Sequence, residues 1–471
     1  MSIDAVTALN RFGLGARPGD LARVAPDPRG ALRAELKPDR ALVSPEAVEA
    51  AGLAGTAGDM RAAFVAEAER RAQRESLKGI ALPAILPSAM TGGSPPFKPQ
   101  PFTEGLIFRA EAAARLAMAR DAEIGFVERL VMFWSNHFCV SAGKAPLLRA
   151  SAGAFEREAI RPHVLGRFAD MLVAVERHPA MLFYLDNVRS VGPASRAGAK
   201  GKRGLNENLA RETLELHTLG VGGGYTQADV TALARVITGW TFAGREGRIG
   251  EPGVFTFDAA WHEPGDQTVL GRVYPGGGFG QGEAALNDLA RHPATARHVA
   301  TKLVRHFVAD DPPPAAVERI AAVFTERDGD LRAVASALVD LPEAWSAPMA
   351  KVRSPADLVI AVARLTGAPL RDPGPTLGAL HTLGQPLWEP PGPNGYPDTA
   401  ADWASPENMK LRLDLCAAAA HAYKGGTDPL ALIEAAAGNA LSPETRDAIP
   451  RAESREQGLA LALMSPEFQR R

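Results

Sequence analysis

The sequence predicts a mainly α protein, a multi-helix globular array with one small β-hairpin insertion near residues 254–274. Over most of the chain, apolar residues recur at steps of three and four between glycines and prolines, which is the spacing of one buried helix face. The pattern changes near the insertion, where two apolar pairs flank the turn-rich residues 262–266: Phe255 and Phe257 before them, Val269 and Leu270 after them. This arrangement predicts a hairpin. No fixed period repeats along the chain, which argues against a solenoid.

The overall charge limits the classes of partner. The chain has 471 residues, with 52 Lys and Arg against 54 Asp and Glu, so its formal net charge is −2. Because nucleic acid and anionic membranes recruit basic proteins or basic patches, we expect no nucleic-acid partner. The two cysteines, Cys139 and Cys416, are too few for a disulfide framework and are expected to be small buried residues.

The N-terminal residues give no targeting signal. Met1 to Ala5 lack a basic segment followed by an apolar stretch, so no signal peptide is predicted. No run of 18 apolar residues occurs, so no membrane span is expected either. The default prediction is a cytoplasmic protein.

Breaks in the helical pattern suggest how the chain is divided. Prolines and a Gly-Gly pair interrupt it between Leu82 and Phe102, and prolines with aromatic residues interrupt it again after residue 384. We expect four parts: an N-terminal helical subregion (1–80), a Pro-rich connector (81–103), a main helical body (104–384) with the hairpin insertion (250–280), and an aromatic loop with C-terminal helices (385–471).

The segment from Gly204 to Gly220 reads as one helix with both ends marked, spanning about residues 206–219. Asn206 suits an N-cap, and Gly220 suits a left-handed C-terminal residue. When residues are placed at 100° steps, four polar side chains share an arc beside the leucine ridge: Asn208, Arg211, Glu212 and Glu215. In a regular helix His217 lies roughly 160° from Glu215, so it is excluded from this group.

This polar arc has two interpretations. Arg211 could pair with Glu207 and Glu215 in a half-buried ion-pair network that fixes helix packing. Alternatively, Glu212 and Glu215, with Arg211 and Asn208 beside them, could form a catalytic acid–base or metal site, as carboxylates facing into helix bundles do.

Several motifs along the chain resemble the bacterial domain of unknown function 1800 family. The central ones are Gly204–Asn208, Glu215–Val221, Gly223–Val230 and Thr238–Trp240. The others are Arg11–Gly15, Phe133–Phe138, His178–Met181, Tyr184–Asn187, His292–Ala296, Lys302–Leu303 and Lys351–Pro355. Together they span nearly the whole chain, so the resemblance is specific.

The resemblance implies a partner but no reaction, since the family's name records no assigned activity. Members are commonly encoded beside a protein similar to the domain of unknown function 1501 family. That protein resembles sulfatase and phosphatase-like enzymes and often carries a twin-arginine export signal. The resemblance therefore implies a partner of this kind, and it leaves export to the periplasm alongside that partner open.

Three histidines are candidate metal ligands together with Glu212 and Glu215: His137, His178 and His262. Histidine and carboxylate side chains would suit a divalent metal. Each histidine also has a structural interpretation. His137 lies on the shoulder of an apolar helix face, where a packed core histidine is common. His178 precedes Pro179 and is expected to end a helix, and His262 could simply belong to a polar turn.

Two further features have open interpretations. His298, Lys302, Arg305 and His306 form a basic stripe, which predicts a solvated helix face rather than an anion site. The aromatic residues between Gln385 and Trp403 either pin a long loop onto the body, which we favour, or stack on a ligand.

Two functions follow from these observations. The first is an enzyme with a carboxylate and histidine site, using a metal or acid–base chemistry, centred on the helix 206–219. The alternative is a non-catalytic accessory or assembly partner of a co-encoded protein similar to the domain of unknown function 1501 family.

Overall fold

A computed structural model describes residues 3–77, 102–201, 203–370 and 372–471. In these ranges the protein is mainly α, with two small antiparallel two-stranded sheets, so the predicted fold class is confirmed. The Pro-rich connector predicted at 81–103 lies outside the described residues except for its last two. The predicted division of the chain into four parts stays a prediction.

The helices of the first half are α1 (Ile3–Thr7), α2 (Asp20–Val24), α3 (Pro28–Glu35), α4 (Pro45–Ala50), α5 (Thr56–Leu77), α6 (Thr103–Asp121), α7 (Phe126–His137), α8 (Pro146–Phe155), α9 (Phe168–Glu176), α10 (Pro179–Tyr184), α11 (Asn208–Glu212) and α12 (Gln227–Val236). Those of the second half are α13 (Phe279–Ala290), α14 (Pro293–Phe307), α15 (Pro314–Glu326), α16 (Leu331–Asp340), α17 (Pro342–Ser346), α18 (Pro355–Thr366), α19 (Pro373–Thr382), α20 (Ala400–Trp403), α21 (Pro406–Ala422), α22 (Pro429–Ala437), α23 (Pro443–Ala448), α24 (Arg455–Met464) and α25 (Pro466–Gln469).

The predicted hairpin is wrong in its pairing. Strand β1 (Trp240–Phe242) pairs with β2 (Phe255–Phe257), and β3 (Gln267–Val269) pairs with β4 (Arg272–Tyr274). The residues 262–266 therefore connect two sheets and do not form the turn of one. The actual turn is Leu270-Gly271, where both residues have positive φ, +49° and +75°. Two such residues are what a tight two-residue hairpin loop requires.

An aromatic cluster links the first helices to the C-terminal half of the chain. The Phe12 ring lies 5.4 Å from the Phe126 ring, 5.8 Å from Phe307 and 5.4 Å from Trp345, measured between centroids. All except Trp345 are fully buried. Large buried rings contribute heavily to core stability, so this cluster holds α7 and α14 side by side.

The central helix covers Asn208–His217, two residues shorter at each end than the predicted 206–219, and it is not regular along its length. Asn206 Oδ1 accepts a hydrogen bond from the Asn208 amide at 3.0 Å, and Gly220 has φ +83°. The helix starts as α11, then widens into a π-helical turn over Thr213–His217. Single π-helical turns inside helices frequently occur at functional sites. The regular 100° spacing used to place His217 therefore does not hold.

In the described ranges, no helix is both long and apolar enough to cross a membrane.

Candidate functional site

A pocket of about 370 Å³ lies between α7, α14, the N-terminal end of α18 and the loop 385–403. This volume falls within the range of small-molecule sites. Its wall combines apolar and aromatic side chains with polar and charged groups. The members used below are Phe133, Asn136, His137, Cys139, Lys302, Arg305, His306, Asp357, Trp388, Tyr396, Asp398 and Asp402.

The loop 385–403 closes one side of the pocket and is fixed by side-chain hydrogen bonds. Asn136 on α7 donates to the Tyr396 carbonyl at 2.9 Å and accepts from the Tyr396 amide at 2.8 Å. Trp388 Nε1 donates to Glu156 Oε2 at 2.9 Å. The prediction that aromatic residues pin this loop to the body is confirmed. Because Trp388 and Tyr396 also line the pocket, both would contact a ligand.

Glu156 fixes the loop 385–403 to the helices on which it packs. It is buried in the π-helical segment Glu156–Ile160 and contacts Arg115 at 2.9 Å and Arg161 at 3.2 Å. Burial alone would raise the pKa of Glu156, but the two guanidinium groups and the Trp388 donor lower it to about 2. Glu156 is therefore a permanent anion that ties α8, the loop and the pocket wall together.

Lys302 is the most unusual group on the pocket wall. Its ammonium donates to His137 Nδ1 at 2.9 Å, and it forms no ion pair with any carboxylate among the described residues. Burial lowers the pKa of Lys302 to about 8. At neutral pH such an amine is charged but can release a proton, which ordinary lysines do far less readily.

The imidazole next to Lys302 is held in one tautomer. His137 Nε2 lies 3.1 Å from the His217 carbonyl oxygen, so it carries the proton and leaves Nδ1 free to accept from Lys302. Burial lowers the pKa of His137 well below its ordinary value, and the Lys302 charge lowers it further. His137 is therefore a neutral acceptor that orients the lysine.

The π-helical turn provides the backbone acceptors of this arrangement. His298 Nε2 lies 3.1 Å from the Leu216 carbonyl oxygen, one residue before the carbonyl that holds His137. Carbonyls in the last turn of a helix lack intrahelical partners, which leaves both oxygens free to accept imidazole protons. The His217 ring is fixed in turn by Glu176, whose Oε1 lies 2.7 Å from Nδ1.

The interpretation of the basic stripe as a solvated helix face is wrong. None of His298, Lys302, Arg305 and His306 is exposed, because the 385–403 loop and the central helix cover this side of α14. The periodicity of α14 marks its apolar face correctly, but it does not reveal that a second, polar face is also covered.

The polar arc of the central helix separates into distinct environments. Arg211 pairs with Glu207 at 3.2 Å, as the network interpretation predicts, and it donates to Gln227 rather than to Glu215. Glu215 instead accepts from the Tyr225 hydroxyl at 3.2 Å. Asn208 is exposed, and its backbone amide donates to Asn206 Oδ1.

Glu212 is the one member of the arc whose charge influences a residue of the pocket wall, Cys139. It is half-buried, and burial raises its pKa, with the His217 ring opposing this shift and Glu215 adding to it. The Glu212 charge in turn contributes to the raised pKa values of Cys139 and Tyr184. Glu212 is not among the residues that line the pocket.

The predicted metal ligands are not brought together. His178 does not end a helix but caps the start of α10: its Nδ1 accepts from the Ala180 amide, and its Nε2 lies 3.0 Å from Thr56 Oγ1. Proline fits the first position of this helix because it lacks an amide proton that would need a partner.

His262 is buried and contacts a different part of the chain. Its Nδ1 lies 2.9 Å from the Thr238 carbonyl oxygen, and its ring packs against Phe257. Across the described ranges, no three His, Cys, Asp or Glu side chains are arranged to hold one metal ion. Of the predicted set, only His137 lies on the pocket wall.

The pocket residues that sequence reasoning missed were visible only as members of motifs or of the basic stripe. Lys302 lies in one of the family-like stretches, and Phe133, Asn136 and His137 lie in another, Phe133–Phe138. Cys139 is buried as expected, but it also lines the pocket, where burial raises its pKa to about 12. The basic stripe on α14 and the two family-like motifs were the signals available, but neither shows that these residues meet.

The fold and the site together define a helical protein with a pocket of small-molecule size, whose wall carries a lysine that has no carboxylate partner among the described residues. The chain belongs to the family described as protein of unknown function (DUF1800), whose model matches residues 7–470. The resemblance predicted from the motifs is therefore confirmed over essentially the whole chain. No curated protein and no solved structure matches it.

Proposed function

We propose that the protein is an enzyme that acts on a small organic molecule in this pocket, with Lys302 transferring a proton. The observation that carries the proposal is the Lys302 ammonium, which lines the pocket without a carboxylate partner and donates to the neutral His137. A general acid–base group works best when its pKa lies near the operating pH, and burial brings that of Lys302 to about 8.

This proposal changes the role of the central helix. The sequence suggested that its carboxylates would form the site, whereas the geometry supports a role for its backbone. The Leu216 and His217 carbonyls orient two imidazoles, and His137 then orients Lys302. Glu212 and Glu215 stay predicted acid–base residues, and Glu212→Gln and Glu215→Gln variants test them. The divalent metal also stays a prediction, tested by metal analysis of the purified protein.

The titration of Lys302 tests the proposal directly. We would label the folded, full-length protein with trace acetic anhydride across a pH series and quantify the Lys302 peptide by mass spectrometry. The expected midpoint is about 8, against about 10.5 for the same lysine in the unfolded chain. A folded-state midpoint near 10.5 would contradict a proton-transfer role at neutral pH.

Two substitutions of His137 test whether this side chain orients Lys302 or only fills space next to it. His137→Gln keeps a donor near the Nε2 position, toward the His217 carbonyl, but removes the acceptor of Lys302. His137→Asn keeps a polar atom near Nδ1 and removes the other contact. Because an acceptor favours the charged amine, we expect His137→Gln to lower the Lys302 midpoint further and His137→Asn to shift it less. Equal shifts would mean that His137 only fills space.

A cellular readout tests whether the lysine matters for function. A strain carrying Lys302→Met, with the protein at its normal level, should reproduce the metabolite profile of a deletion strain. A profile identical to that of the wild type would overturn the proposal. The accessory role beside a protein similar to the domain of unknown function 1501 family stays a prediction from the resemblance, tested by co-purification from native extracts.

A further inference from the structure

A second cation lines the pocket one helical turn from Lys302. Arg305 is half-buried, and its Nε donates to the Asp310 carbonyl at 3.2 Å. Its two terminal nitrogens have no hydrogen-bond partner among the described residues, and it forms no ion pair there. A guanidinium group held at Nε presents its remaining donors as a fork that matches a carboxylate or a phosphate.

Other cations close to the pocket are neutralised. Lys351 contacts Asp310 at 2.5 Å and Asp398 at 3.6 Å, and Arg471 contacts Asp357 at 3.0 Å. Arg115 is paired with Glu156. Lys302 and Arg305, the two cations of the pocket wall without a carboxylate partner among the described residues, therefore lie on one side of the pocket, on α14.

The carboxylates of the wall are already engaged. Asp357 contacts Arg129 and Arg471, and Asp398 contacts His306 at 2.7 Å. Asp402 is the one wall carboxylate without a cation among the described residues, and it accepts from the Thr399 hydroxyl. Two unpaired cations against one unpaired carboxylate leave this wall with a local positive charge, although the whole chain has a net charge of −2.

We infer that the substrate is a small organic anion whose carboxylate or phosphate group binds Arg305 while its reacting part lies at Lys302. This inference rests on the proposed function and adds the class of substrate to it. Residues three apart on a helix have Cβ atoms about 5–6 Å apart, so the reacting atom would lie within a few bonds of the charged group. Phe133 and Trp388 supply apolar wall for the remainder of the molecule.

Binding of simple anions tests the inference. By isothermal titration calorimetry on the full-length protein, we would measure inorganic phosphate, succinate and the neutral succinamide. Arg305→Gln should weaken the two anions at least tenfold and leave succinamide unchanged, whereas Arg305→Lys should retain part of the binding. The matched control is Arg297→Gln, which removes a cation from the same helix at an exposed position paired with Glu318. It should change anion binding less than twofold.

The outcomes separate this inference from the proposed function. Because the Arg305 charge contributes to lowering the Lys302 pKa, Arg305→Gln should also move the Lys302 labelling midpoint upward.

If Lys302 titrates near 8 but no anion binds at millimolar concentration, the anion subsite is wrong and the proton-transfer proposal stands. The same conclusion follows if Arg305→Gln and Arg297→Gln bind anions equally. If anions bind through Arg305 but Lys302 titrates near 10.5, the proton-transfer proposal is wrong and the anion subsite stands. Tighter binding of phosphate than of succinate would indicate a phosphate group on the substrate, and the opposite order would indicate a carboxylate.

Discussion

Replacing Lys302 with methionine should stabilise the protein at neutral pH. The change keeps an unbranched side chain, one atom shorter than lysine, and removes the charged group. The pKa of Lys302 falls from 10.5 in the unfolded chain to about 8 in the folded protein, a difference of about 2.5 units. At about 1.4 kcal/mol per unit this corresponds to roughly 3 kcal/mol, and solvent contact of the half-buried side chain reduces it to about 2–3 kcal/mol.

The sign of the pH dependence follows from proton binding. Between pH 8 and 10.5 the unfolded chain binds more protons at this position than the folded protein does, so the stability of the wild type rises with pH there. The destabilisation is complete below pH 8 and disappears above 10.5. Lys302→Met should therefore unfold at higher urea concentration than the wild type at pH 7, with the gap shrinking at pH 10. A variant that is less stable at pH 7, or a gap independent of pH, would refute the reasoning.

Three further changes test other parts of the structure. Asp59→Asn should raise the melting temperature at pH 8 but hardly change it at pH 4, because burial raises the pKa of Asp59 from 3.8 to about 8 and penalises its ionised form between these values. Glu156→Gln should cost about 3–5 kcal/mol in urea unfolding, since it leaves the buried Arg115 without a carboxylate partner while Arg161 keeps Glu128, and it should alter Trp388 fluorescence. Unchanged stability would contradict the anchoring role. Gly282→Ala should lower the melting temperature, because its Cβ would lie 2.4 Å from the buried Trp240 ring, whereas Gly280→Ala on the same helix meets nothing within 4 Å and should raise it. Equal effects of the two alanines would contradict the packing argument.

The sequence predicts features that depend on neighbours along the chain. Apolar periodicity and proline spacing give the mainly α class, and capping chemistry predicts the central helix to within two residues at each end. These signals are local, because a cap involves residues within one turn. The alternation in Phe255 and Phe257 likewise identifies a strand, but not its partner. The strand pairs with Trp240–Phe242, which lies outside the predicted hairpin at residues 254–274.

The pocket could not be predicted in the same way. The contact between Lys302 and His137 joins residues 165 positions apart, and no periodicity encodes which elements face each other. The helix projection also assumed a regular helix, whereas the π-helical turn at Thr213–His217 changes the directions of its side chains and carbonyls. A basic stripe on α14 therefore looked solvated, because the loop that covers it lies some eighty residues further along the chain.

The pattern of charge pairing gives the strongest reason to place function at Lys302. Several buried ions of the described residues are paired, such as Glu156 with two arginines and Asp357 with Arg129 and Arg471. Others, such as Asp59 and Arg353, form no ion pair within the described ranges. On the pocket wall Asp357 and Asp398 have cationic partners, whereas Lys302 contacts a neutral histidine and no carboxylate among the described residues, so we expect a methionine there to be more stable. Proteins tolerate such local destabilisation mainly at functional sites. The predicted gain in stability of Lys302→Met and the predicted loss of its function are therefore two consequences of one feature, and both must hold for the assignment to stand.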